Sequence, residues 1–192
     1  FVIIPFPFLG SVFLIYTKRD WGVRELKMLV KQSTLAIKPY FRQDDQIMEE
    51  LAERHSTTYN LAKYLHRASG FPVYKNTKVT YFPSGQEKFK ALKEELLKAK
   101  KFIFLEYFII DEGLMWGEIL GILEQKVAEG VEVRVMYDGM IELSTLSLDY
   151  SKRLEKLGIK AKVFSPITPF VSTYYNYRDH RKILVIDNKV AF

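Results

Sequence analysis

The sequence predicts an α/β protein, a layered and mostly parallel sheet flanked by helices. From Lys78 onward, apolar runs of strand length alternate with amphipathic stretches of about a dozen residues, separated by glycine and Asp-Gly or Asp-Asn turn signals. Of the 192 residues 48% are hydrophobic and 15% aromatic, which is enough to bury a core and excludes a disordered chain. There is no cysteine, so disulfides, thiolate zinc sites and cysteine nucleophiles are excluded as well.

Three regions are expected in order. Residues 1–16, FVIIPFPFLGSVFLIY, carry no charge, and the basic residues Lys18, Arg19, Arg24, Lys27 and Lys31 follow them. A secretory signal has the opposite charge order. The run therefore reads as the C-terminal part of a transmembrane helix leaving on its positive, cytoplasmic side, with a buried strand and loop as the alternative. Residues 17–77 read as a basic juxtamembrane connector with short helices. One is marked by Asp44, Ile47, Met48, Leu51 and Ala52, and another runs from about Thr58 to Ala68 with Gly70 as its stop. His55 and His66 fall on solvated helix faces there. Both ends of the chain read as cut, with Phe1 inside an apolar run and no stop signal after Phe192.

Residues 78–192 form the α/β domain. Val79–Phe82 is a candidate short strand. Ser84 with Glu87 is a capping box before the apolar face of Phe89, Leu92 and Leu96. Phe102–Ile110 is apolar enough for a strand buried on both faces. Trp116, Ile119, Leu120, Leu123 and Val127 give a second helix ending near Gly130, and Val131–Tyr137 a further strand with an Asp138-Gly139 turn. A helix over Leu146–Leu157, a strand over Ile159–Phe164, a proline- and aromatic-rich loop from Ser165 to about Thr173, a strand over Lys182–Ile186, an Asp187-Asn188 turn and an apolar Val190–Phe192 complete the pattern.

The net charge of +6, from 29 basic and 23 acidic side chains, fits an anionic partner such as a lipid headgroup or phosphodiester, and equally a lysine-rich surface. Chemistry concentrates in Tyr177-Arg178-Asp179-His180-Arg181-Lys182-Ile183-Leu184-Val185-Ile186-Asp187. His180 and Lys182 are two apart, so an extended chain projects both to one side. An imidazole beside a fixed ammonium suits attack on a phosphodiester, the one supplying a nucleophile or proton and the other holding a phosphoryl oxygen. Asp187 lies an odd number of residues beyond His180, so a regular strand turns it to the opposite face. It either orients a histidine indirectly or begins the turn with Asn188.

The pattern His180-x-Lys182-x-x-x-x-Asp187 resembles the signature of the phospholipase D superfamily. The stretches Phe104–Ile109, Gly130–Gly139 and Tyr175–Lys182, with the order apolar segment, basic connector and α/β domain, resemble the bacterial cardiolipin synthase family. That resemblance implies a phospholipase D-like sheet, of which this chain is the incomplete first half, truncated at its C-terminal end. It implies a membrane-bound phosphatidyltransferase that joins two phosphatidylglycerol molecules into cardiolipin and glycerol through a phosphohistidine, with no metal and no organic cofactor.

Carried over by position, His180 becomes the nucleophile or its acid/base partner, Lys182 binds phosphate, and Asp187 supports the histidine geometry. Glu106 takes either a polar role near the site or a purely structural one, and Tyr174, Tyr175 and Tyr177 pack against the sheet. The family carries two such motifs and this sequence has one, since His55 is followed by Thr57 and His66 by Ala68. The fragment alone is therefore expected to be inactive. Its second motif is expected from the missing C-terminal part of the same chain, a homodimer being the lesser alternative. The implied partners are a phospholipid and the cell membrane, with the catalytic domain on the cytoplasmic side. Nucleic acid fits less well, because no basic–aromatic binding array is visible. A phospholipase D-type phosphodiesterase that hydrolyses phospholipid or nucleic acid, and a non-catalytic membrane scaffold, are the competing readings.

Overall fold

A computed structural model describes residues 4–18, 21–167 and 178–192. It divides into two compact units, Phe1–Tyr81 and Phe82–Phe192.

The first unit is helical. Helix α1 spans Pro7–Lys18, α2 Trp21–Ile37, α3 Asp45–Arg54 and α4 Ser56–Ser69, with a short 3-10 turn at Lys38–Tyr40. Residues 1–3 of the apolar run expected to be helical lie outside the described residues, Ile4 and Pro5 form a turn, and the helix begins at Pro7. Proline suits the first turn of a helix, where its missing N–H is not needed, and disrupts the interior. Among the described residues no helix is long and apolar enough to cross a membrane.

The sequence reading assigned no helix to 21–37, although one of 17 residues forms there. The two shorter helices lie where their spacing put them. Asp44 caps α3 by accepting from Gln46 N, and Gly70 ends α4 at φ 77°, a backbone conformation that suits glycine.

The second unit contains α5 (Gly85–Lys98), β1 (Phe102–Tyr107), α6 (Leu114–Ala128), β2 (Glu132–Asp138), a 3-10 turn (Gly139–Leu143), α7 (Tyr150–Lys156), β3 (Lys160–Phe164), β4 (Lys182–Ile186) and β5 (Val190–Ala191). Ser84 caps α5 by accepting from Glu87 N at 3.2 Å, as the capping box requires. Two expectations fail. Val79–Phe82 forms no strand, because the five strands form one sheet in the order β3-β2-β1-β4-β5 and none of them includes those residues. The helix expected over Leu146–Leu157 begins only at Tyr150, with Asp149 as its N-terminal boundary residue.

The sheet is mixed rather than mostly parallel. β1 pairs β2 and β2 pairs β3 in parallel, while β4 runs antiparallel to both β1 and β5. The Asp187-Asn188 turn explains part of this: both residues have φ near +50°, so β4 reverses directly into β5. One face carries the core. Ile103, Leu105, Val133, Val135, Tyr137, Leu184 and Ile186 cluster there with Leu92 and Leu96 of α5, Trp116, Ile119 and Leu123 of α6, and Tyr150 and Leu154 of α7. The alternate positions Phe102, Phe104, Glu106, Met136, Ile183 and Val185 are only half-buried, so β1 is not buried on both faces as expected.

Candidate active site

Because β1, β2 and β3 are parallel and β4 runs against them, the start of β4 lies at the carboxyl ends of the other three. Lys182 pairs with Tyr107 at the end of β1. Open α/β sheets commonly place ligands at this edge. The structure brings His180 and Lys182 together there, both exposed. Lys182 Nζ donates to the carbonyl of His180 at 2.8 Å and lies 3.2 Å from His180 Nδ1. An ammonium has no lone pair, so in this contact Nδ1 is the acceptor. Phe108, just past β1, faces both groups. Its ring centroid is 4.6 Å from that of His180 and 5.3 Å from Lys182 Nζ, within cation–π range.

Asp187 is not part of this cluster. It sits at the other end of β4, a strand of five residues spanning roughly 15 Å. Its carboxylate accepts from the backbone N–H groups of Lys100 (2.8 Å), Lys101 (2.9 Å) and Phe102 (2.8 Å), tying the α5–β1 connection to the sheet. Partial burial works against the charge. The three backbone donors outweigh it and hold the Asp187 carboxyl below its ordinary value.

A second carboxylate network holds the residues on either side of the histidine. Asp138, fully buried at the end of β2, accepts from Asp179 N (2.8 Å), Arg178 Nη1 (3.1 Å) and Met140 N (2.8 Å). It thus anchors the two residues before His180. Arg178 Nη1 also donates to the Ser165 carbonyl at 2.9 Å. Gly139 follows Asp138 because the chain passes very close: a Cβ there would lie 2.6 Å from Pro166 Cα.

Asp179, 5% exposed, accepts from Arg181 Nε at 2.8 Å and from Arg181 N at 3.3 Å. Arg181 Nη2 also lies 2.6 Å from Glu106 Oε1, an ion pair by distance that lacks the alignment of a hydrogen bond. Burial, then the neighbouring Asp179 carboxyl and its charge, push the Glu106 carboxyl up to about 7, against the pull of Arg181. Burial also disfavours the Asp179 charge, but the neighbouring Glu106 carboxyl and the hydrogen bonds from Arg181 overcome it and hold that carboxyl below its ordinary value.

Sequence reasoning named Glu106 only as an alternative and missed Asp138, Asp179, Arg181 and Phe108 as neighbours of the pair. A signal for Asp138 was available: it is a carboxylate closing an apolar strand, which needs partners when buried. Tyr174, Tyr175 and Tyr177 lie outside the described residues. No group of three or more metal-ligating side chains occurs among the described residues.

Over 196 residues and all of its length, the chain is 32% identical to a cardiolipin synthase of Oceanobacillus iheyensis, and over 189 residues 33% identical to one of Geobacillus thermodenitrificans. The chain is a relative of the bacterial cardiolipin synthases. It spans 41% and 37% of the length of those two proteins, and covers 100% and 97% of itself in doing so. It is also 80% identical over 191 residues to an uncharacterized protein of Streptococcus mutans, again over 41% of that protein. No family model matches. Among solved structures, NucT from Helicobacter pylori aligns at 16% identity with a TM-score of 0.40, covering 57% of this chain and 67% of that one.

Proposed function

We propose that this chain is the His-Lys half of a phosphatidyltransferase active site, acting at a membrane on phosphatidylglycerol to form cardiolipin and glycerol. The carrying observation is the exposed His180–Lys182 pair at the carboxyl edge of the sheet, in a chain related to cardiolipin synthases throughout.

In this reading a lipid phosphate draws the Lys182 ammonium from the His180 carbonyl to a phosphoryl oxygen, where it offsets charge that develops in the transition state. An imidazole nitrogen attacks phosphorus and the bond to the glycerol oxygen breaks. The departing alcohol takes its proton from the histidine of a second motif, supplied by the rest of a longer chain. A hydroxyl of a second phosphatidylglycerol then attacks while the second histidine, now neutral, takes its proton, the phosphorus–nitrogen bond breaks, and cardiolipin leaves. If the roles are exchanged, His180 protonates the leaving group and the second histidine is the nucleophile. Asp138 and Phe108 hold His180 in place for either role, while Asp187 secures the far end of its strand.

Membrane attachment draws support from the first unit. Phe8, Leu9, Val12, Phe13 and Ile15 of α1 are all exposed. Cationic residues such as Lys27 and Lys31 of α2 suit an anionic leaflet at about 1 kcal/mol each near its surface. The cytoplasmic side remains the side we assign to the catalytic unit, by the position of these charges after the apolar run.

The test is product analysis with the complete protein and phosphatidylglycerol vesicles. Cardiolipin and glycerol are expected from the wild type and neither from His180→Ala. Cardiolipin formation by that variant, or phosphatidic acid as the sole lipid product of the wild type, would overturn the proposal.

A further inference from the structure

The carboxyl pair beside the histidine has a feature that the transfer chemistry does not use. Among the described residues Glu106 Oε1 and Asp179 Oδ2 are both buried and neither makes an aligned hydrogen bond, although Arg181 Nη2 lies 2.6 Å from Glu106 Oε1. Two ionised carboxylates in contact repel, and their buried oxygens cost free energy unless satisfied. A single proton held between the two side chains removes both problems, since the protonated acid donates to its neighbour. We propose that Glu106 is a positioning residue for His180, acting through a proton that it shares with Asp179, the residue immediately before the histidine.

This inference rests on the reading of His180 as the reacting group, but its physical core does not. Asp179 is fixed on three sides. Its N–H is held by Asp138 at 2.8 Å, its Oδ1 by Arg181, and its remaining oxygen by the shared proton. Loss of that proton leaves Glu106 and Asp179 both charged, with Arg181 as their common counter-ion. Arg181 is 62% exposed and so balances them incompletely.

The other charges near Glu106 are known. Arg134 of β2 and Lys160 and Lys162 of β3 line the same shallow recess of about 560 Å³ with Ile183, and Arg178 and Asp138 lie behind Asp179. Arg134 and Lys160 are engaged by Glu132 at 2.8 and 2.6 Å. The expected consequence is a carboxyl that titrates near neutrality, in line with the value of about 7 that burial and Asp179 give Glu106. The two acids titrate as a pair.

Two measurements test this. In the 192-residue chain labelled at the glutamate carboxyl carbon, one resonance is expected to titrate near pH 7, apart from the others, and to vanish in Glu106→Gln. If the Glu106 carboxyl of the wild-type chain ionises together with the other glutamates, the proposal is overturned, whatever reaction the protein catalyses. In the complete protein, cardiolipin formation is expected to lose one limb of its pH profile in Glu106→Gln, because an amide donates to Asp179 at every pH. A limb with an unchanged midpoint in that variant overturns the link to His180. Absence of cardiolipin from the wild type would instead refute the transfer reading, and the carboxyl titration would still decide the shared proton.

Discussion

The two ends of β4 carry residues of one sequence motif, yet they are built on opposite principles. At its start, His180 and Lys182 are exposed, and in the described structure Lys182's hydrogen-bond contacts are with His180. At its end, Asp187 has spent its acceptors on three backbone donors. Reactive groups need unused hydrogen-bonding capacity and access, whereas a structural anchor needs the reverse. A short spacing in sequence therefore joins two situations, an exposed pair proposed for chemistry at one edge of a sheet and a saturated anchor at the other.

The sharpest way to break this comparison is to remove one group from each end. Lys182→Ala in the complete protein is expected to lower kcat about 100- to 1,000-fold, the scale for losing one donor to a developing anion. Its effect on unfolding free energy should stay within about 0.5 kcal/mol, as for an exposed residue. Steady-state kinetics together with urea unfolding check both halves of this. A large loss of stability would mean that the site end is also an anchor.

Asp187→Ala should show the converse, a destabilisation of about 2–3 kcal/mol from three backbone N–H groups left without their charged acceptor. The pH dependence has a definite sign. Because the folded state holds this carboxyl below its ordinary value, its contribution is complete above the unfolded pKa and disappears as pH falls through the folded one. Urea midpoints measured from neutral to acidic pH should fall for the wild type more steeply than for Asp187→Asn. An Asp187→Ala protein of normal stability but no activity would place the carboxylate with the chemistry.

A third variant sharpens the comparison within the site edge itself. Gly139→Ala drives a methyl into the backbone of Pro166 and should cost about 1–3 kcal/mol, the range for overpacking that forces a backbone shift. Since Gly139 follows the residue that holds Asp179, activity should fall along with thermal stability. Unchanged stability would mean that the 165–167 segment yields easily.

The meeting of His180 and Lys182 was more legible in the sequence than the scaffolding. His180 and Lys182 share a side because extended chains have a period of two, a property independent of tertiary context. Parity turned Asp187 to the opposite face, yet the family resemblance carried it into the site, whereas the structure sets it at the far end of β4 on the backbone of 100–102. Hidden from view was what sits behind the histidine. Glu106 lies on β1, Asp138 on β2 and Asp179 before β4, and only the strand order β2-β1-β4 brings the three together. Sequence periodicity gave strands but could not give their directions, so a mixed sheet was read as mostly parallel. Helix α2 was missed although Val23, Leu26, Val30 and Ile37 recur at helical intervals.

The smallest effect expected is at Ser84, where local sequence alone determines structure. Its hydroxyl accepts from Glu87 N at 3.2 Å, far along the chain from either end of β4. Ser84→Ala removes one capping acceptor and should cost about 1 kcal/mol, visible as a lower urea midpoint. The reactive pair depends on a strand pairing that this helix start does not supply. Transfer activity below the unfolding transition should therefore be the same in variant and wild type, and a fall in kcat there would show that α5 positions the site as well as covering the core.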